Sequence, residues 1–450
     1  MVLRLWTNML LLIVLIVAAG CGQMETAEVQ HDEKRPAAIS IETEKVEAET
    51  LPDYAADTTP VTLDFAVHLP INEEFERLYI EPVTKKYPHI TLNMERVSNF
   101  AKYDELLAAG QVPDLYISFN GNMPGLKDRG INMDMKDIFE QQGFDLSRFQ
   151  QNYLDDIQYA AVEEGELYGL PIETAFHALY YNKDIFDQFG VAYPKDGMTM
   201  EEALELARQL TRVVDGVQYR GWDIASIVRL AQPLGLEYVD HDTELAIVAS
   251  EGWKRVFELG KAIYSIPGNA PSEDASKNRL NGFMTDRTIA MLNETSKFSQ
   301  LKEAEQNGLN WDVAQHPYYE ERPNVYGNST VYMIGAVPTT EHMNQVLQVI
   351  EVFTSDEVQM EVSKSGRLSP LNNADVQNAF GQGDPALANK NLAGILKGTP
   401  VKYPIYLYRE IAEPMTNRKF NEFLESSKDV NMVLKELEEE INLAIESEKR

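Results

Sequence analysis

The 450-residue chain holds a single cysteine, Cys21. With no second thiol, no intrachain disulfide can form, so stability must rest on packing, hydrogen bonds and charge. Basic residues are scarce too: Lys and Arg total 40 against 71 Asp and Glu, a formal net charge of −31. Binding nucleic acid depends on cations displacing counterions from phosphates, so this balance excludes a nucleic-acid partner. Past the N-terminal segment no apolar run reaches the length that spans a bilayer. The seven histidines show no pairing four residues apart, and neither a G-x-S-x-G elbow nor a phosphate-binding loop occurs. Asp240, Asp242, Glu244 and Glu251 imitate the acidic spacing of a calcium loop. Leu245, however, stands where that loop turns sharply and needs glycine. The sequence therefore calls for no metal and no cofactor.

The lone cysteine follows an apolar stretch, Met9 to Ala19, that is too short to cross a membrane comfortably. Ala18, Ala19 and Gly20 put small side chains directly before it, as a signal peptidase requires. The segment resembles a bacterial lipobox, with Ala18 where that motif usually has Leu. The resemblance implies a signal peptide over 1–21, a diacylglycerol on Cys21 and anchoring to the outer face of the cell membrane. Residues 22–60 are acidic and poor in large apolar groups, so they cannot bury enough surface to offset chain entropy. They read as a flexible tether.

Beyond the tether the periodicity changes. "VTLDFAVH" alternates like a strand through Val61, Leu63, Phe65 and Val67. Asn72 is a cap for a helix carrying Phe75, Leu78, Tyr79 and Val83 on one face. "HITLNMERV", "YDELLAAG" and "PDLYISF" continue strand, helix, strand, which indicates an α/β domain. Thr199 and Glu202 form a T-x-x-E capping box, Gly190 ends one helix and Ser250 starts another. "LEYVDHDTELAIV" reads as a hairpin, and the last hundred residues are mainly helical.

Five stretches, in order, resemble the extracellular solute-binding proteins of ABC importers, in the sugar-binding group that includes maltose-binding protein. They are "KKYPHITL", "YDELLAAGQVPDLYI", "EEGELYGLPIETAFHALYYNKDIFDQFGV", "NGFMTDRTIAML" and "VIEVFTSDEVQMEVSKSGRLSP". In the fourth, Thr285-Asp286-Arg287 replaces the usual glycine-bearing turn. The resemblance implies a type II periplasmic-binding-protein-like fold, with two α/β lobes and a ligand cleft between them. Lobe one is expected over 61–173 plus 316–338, and lobe two over 178–314 plus 339–450. It further implies a monomer that captures a small-molecule solute, a carbohydrate and foremost an oligosaccharide, for permease subunits in the membrane.

Sugar recognition needs polar groups for hydroxyls and flat aromatic faces for the ring. Ligands of open α/β sheets lie beyond the carboxyl ends of strands, which selects His68, Asn120 and Asn293. The first crossing between lobes contributes Glu173 and His177, where the family commonly has ligand contacts. There Glu173 is expected to face an open, wet cleft. "RGWDIASI" adds Trp222 as a stacking platform and Asp223 as a hydroxyl acceptor. Against these stand structural roles: a strand cap for His68, a turn for Asn120, hinge bonds for Glu173 and His177, core packing for Trp222. Tyr180, Tyr181 and Trp311 read as packing. A surface-anchored glycosidase needs only two carboxylates at the right separation and is the rival function. A surface scaffold, which needs no mobile cleft, is the third.

Overall fold

In chain order the strands are β1 (Val61–Val67), β2 (Ile90–Arg96), β3 (Leu115–Phe119), β4 (Leu170–Ala175), β5 (His177–Asn182), β6 (Arg212–Val214), β7 (Val217–Asp223), β8 (Ile289–Thr295), β9 (Trp311–Gln315), β10 (Val325–Asn328), β11 (Thr330–Ala336) and β12 (Thr399–Val401). They come from a computed structural model that describes residues 53–161, 165–271, 275–404 and 407–449. Cys21, its signal segment and nearly all of the tether lie outside the described residues.

Two five-stranded sheets result. The first has the order β2-β1-β3-β11-β4 and the second β6-β7-β8-β5-β9, with β10 and β12 forming a separate pair. β1 runs parallel to β2 and β3, whereas β11 enters antiparallel between β3 and β4. This is a mixed α/β fold of two lobes. Among the described residues no helix is long and apolar enough to cross a membrane.

Local signals act where the sequence places them. Asn72 accepts from the Phe75 amide, Ser250 from the Trp253 amide, and Thr199 with Glu202 closes a complete capping box. Gly190 ends its helix at φ 66°, a left-handed conformation that costs a residue without Cβ little. At the departure from the family turn, Arg287 takes φ 55° without being glycine. The 238–247 hairpin is minimal: Asp240 donates to the Leu245 carbonyl, Ile247 to that of Tyr238, and a single bridge joins Val239 to Ala246. Of the calcium-like acidic residues, Glu244 pairs with Lys449 and Tyr408, and Asp240 caps Thr243. Among the described residues no three His, Cys, Asp or Glu side chains gather as a metal-binding group.

The expected boundary of lobe two needs correction. The helices Met343–Phe353 and Asp356–Lys364, placed there with 339–450, pack into the core of the first sheet. Phe353 stacks on Tyr79 at 4.7 Å and meets Phe65 edge-on at 6.0 Å. The cause is topological. β11 has already returned the chain to the first sheet, and only residues 337–342 separate it from the next helix, which docks on the nearest apolar face. The chain recrosses later, between Leu371 in the first core and Phe380, which packs against Phe176 and Phe298. The final helices, Arg409–Glu425 and Val430–Glu448, complete the second core through Phe420, Phe423, Leu434 and Leu437.

Candidate functional site

At the carboxyl ends of β1 and β3 the chain gathers aromatic side chains. His68 follows β1 and donates its amide to the Ile117 carbonyl at 3.0 Å, which fixes its ring 5.2 Å from Phe119 and 6.3 Å from Tyr332. Antiparallel register sets Tyr332 opposite Phe119 on one side and Glu173 on the other, so the three share a face of the sheet. From the C-terminal part of the chain, Tyr403 meets Phe119 edge-on at 6.3 Å, and the Arg409 guanidinium lies 5.5 Å from the same ring. Gly121 makes this approach possible: a Cβ there would sit 2.3 Å from the Tyr403 hydroxyl. Burial, with Arg96 and Arg409 nearby, holds the His68 imidazole below its ordinary pKa. His68 is therefore neutral at pH 7, with a donor and an acceptor to offer.

The second lobe brings charge to the same junction. Glu294, near the end of β8, is buried and faces Arg229 at 3.4 Å, Arg279 at 3.3 Å and Lys297 at 3.8 Å. Burial pushes its carboxyl up, but Arg229, Lys297, the Thr295 amide and Arg279 together hold it down to about 2. The positive charge of Arg229 also acts on Tyr332 of the first lobe, on Tyr403 and on His177. The aromatic group and the cations are thus one neighbourhood, built from both lobes. Beside it, a cavity of about 390 Å³ opens between Tyr159 of the first lobe and Leu234 and Glu237 of the second, with Lys402 at its wall.

The residues singled out from sequence take diverse positions. Asn120 is fully buried; its amide nitrogen donates to Ser329 and its oxygen accepts from the Val331 amide, fastening β3 to β11. Glu173 is 6% exposed rather than open to a wet cleft, and its carboxylate is bound by Arg367. His177 is buried between Tyr326 and His316, with neither ring nitrogen hydrogen-bonded; burial drives its pKa well down. Trp222 is enclosed in the second core and donates its indole N–H to Asn293 at 3.2 Å, so those two residues come together. Asp223 is buried and pairs with Arg220 at 2.9 Å. Asn293 keeps its amide nitrogen without a partner.

Sequence reasoning missed Phe119, Tyr332, Tyr403, Arg229, Arg279 and Glu294. Phe119 and Glu294 each adjoin a residue it selected, so the strand-end rule reaches them with one further step. The others lie on segments that only tertiary pairing brings near.

A model of the bacterial extracellular solute-binding proteins matches residues 68–360. A binding protein of Brucella abortus (strain 2308) is 30% identical over 123 residues, 26% of this chain and 28% of that one, so the chain spans little more than a quarter of that relative. The sn-glycerol-3-phosphate-binding periplasmic protein UgpB of Rhizobium meliloti is 22% identical over 332 residues, 65% of this chain and 71% of its own. Among solved structures, an ABC substrate-binding protein from Listeria monocytogenes in complex with cycloalternan superposes with a TM-score of 0.71. That match has 18% identity and covers 87% of this chain and all of the other, a likeness of fold.

Proposed function

Because the chain belongs to the bacterial extracellular solute-binding protein family, we propose that it captures a carbohydrate between its lobes and delivers it to the permease of an ABC importer. One observation carries the reading. Phe119 of the first lobe, grouped with His68 and Tyr332, meets Tyr403 from the chain that completes the second. Flat rings suit the apolar face of a sugar, and the polar groups around them suit its hydroxyls. A solute touching both lobes stabilises their closed arrangement, and a membrane permease reads that arrangement. His68 and the crossing residues Glu173 and His177 lie at or next to this junction. In this reading Asn120, Trp222, Asp223 and Asn293 serve mainly as its scaffold.

The lobes run over 61–175 plus 330–371 and over 177–315 plus 376–448. The protein works as a monomer on the outer face of the membrane, held by lipid on Cys21, and returns its solute unchanged. Thermal denaturation of the purified protein against mono-, di- and oligosaccharides is the test. A specific saccharide should raise the melting temperature in proportion to the logarithm of its concentration. If no saccharide does so, the proposal fails. Chromatography of the bound saccharide after long incubation should recover it intact, and multiple-turnover cleavage would point to a glycosidase instead.

A further inference from the structure

Among the described residues, Glu294 is the only carboxylate that Arg229, Arg279 and Lys297 reach in an ion pair, in a protein whose acidic residues far outnumber its basic ones. One buried carboxylate needs one cation to balance it, so two positive charges are left over. The contacts are also slack. Charge-assisted bonds normally close to about 2.7–2.9 Å, and Lys397–Asp196 at 2.8 Å and Arg367–Glu173 at 2.9 Å do so in this protein. Around Glu294 the distances are 3.3, 3.4 and 3.8 Å, the last beyond hydrogen-bonding reach. Part of the carboxylate is already engaged, since Oε1 accepts from the Thr295 amide at 2.9 Å. Donors are correspondingly spare. Arg279 spends one nitrogen on the Ala225 carbonyl and one on Glu294, while its buried Nε has no partner. All three cationic side chains keep roughly a fifth of their surface exposed, so an incoming group can reach them. Burial foremost, then the two neighbouring guanidiniums, lower the Lys297 pKa against the opposing pull of Glu294.

We propose that the solute is acidic, a polyhydroxylated molecule whose carboxylate or phosphate is received by Arg229, Arg279 and Lys297 at the carboxyl end of β8. The inference rests on the solute-binding reading and names the ligand class for that site. Planar guanidinium forks match the paired oxygens of such an anion, and Lys297 adds a point charge. Glu294 then holds the cations apart and poised while the site is empty.

The test is calorimetry on the full chain with matched pairs: a glucuronate-terminated disaccharide against its neutral counterpart, and glycerol 3-phosphate against glycerol. The charged member of at least one pair should bind tenfold or more tightly than the neutral one, and rising salt should erode the preference. Preference for glucuronate indicates a sugar acid; preference for the phosphate indicates a phosphate ester. Arg279→Gln should abolish most of the preference, and Glu294→Gln, which removes the competing charge, should tighten the charged ligand. Binding without preference for the charged member in either pair overturns this inference and leaves the carbohydrate reading standing. Failure of every pair to bind overturns it as well, and the wider saccharide panel then decides the carbohydrate reading separately.

Discussion

Arg367 holds Glu173 with a single nitrogen: Nη1 lies 2.9 and 3.2 Å from its two carboxylate oxygens. The other terminal nitrogen reaches Glu74 at 3.0 Å, and Glu74 in turn meets Lys302 on the second lobe's helix Phe298–Gln306 at 3.3 Å. Glu173 is thus the inner end of an ion chain that joins the lobes.

Glu173→Ala should accordingly lower the stability of the unliganded protein. Arg367 loses its closest partner but retains Glu74, so the expected loss is about 1.5–3 kcal/mol, less than for a buried charge left wholly unpaired. Urea denaturation without solute measures it. An unchanged midpoint would mean that the pair contributes nothing net.

Gly121→Ala should damage the aromatic junction. The added methyl would meet Tyr403 at 2.3 Å and Phe119 at 2.6 Å, and both rings must shift. A destabilisation of about 1–3 kcal/mol is expected from overpacking of this kind. Saccharide affinity should fall as well. Undiminished affinity would remove the Phe119–Tyr403 pair from the site.

Asp156→Asn should stabilise the protein at neutral pH and do little in acid. Asp156 is 6% exposed, and burial pushes its carboxyl up to about 6, against the opposing pull of Lys402. Between the unfolded value near 3.8 and about 6, the folded state keeps a proton that the unfolded state has lost. Folding is therefore penalised increasingly as pH rises through that window, and fully above it. The variant should gain about 1–3 kcal/mol at pH 7 and almost nothing at pH 3.5. Denaturation at both values checks the sign.

Cys21→Ser should release the protein from the membrane fraction. Mass spectrometry of the wild type should find diacylglycerol on Cys21 at a new N-terminus. An unmodified terminus at another position would refute the anchor.

Much of the local structure was legible because its causes are local. The Asn72 and Ser250 caps, the Thr199–Glu202 box and Gly190 each act within four residues, and the sequence shows them directly. The grouping of elements into lobes was harder to read, since it depends on β11 inserting antiparallel between β3 and β4. That insertion also sets Tyr332 beside Phe119, more than two hundred positions away in the chain. Strand-end reasoning leads to His68, which lies beside Phe119 and Tyr332. The crossing segment offers Glu173 as a group in an open cleft, because its partner Arg367 is nearly two hundred positions away. Charge counting had no means to see three cations around Glu294. Composition sums the chain, whereas electrostatics depends on neighbours.

Only Phe176 separates β4, an edge strand of the first sheet, from β5 inside the second. The other passages, from β9 to β11 and from Leu371 to Phe380, are several residues longer. Mechanically the three links are unequal. A one-residue span has no slack to lengthen, so the lobes cannot slide apart along it. Whatever relative motion they have must be a turn about an axis near Phe176, with the longer passages following. The residues nearest that axis, Thr174 to His177, are displaced least, while the far rims of the lobes sweep the widest arc.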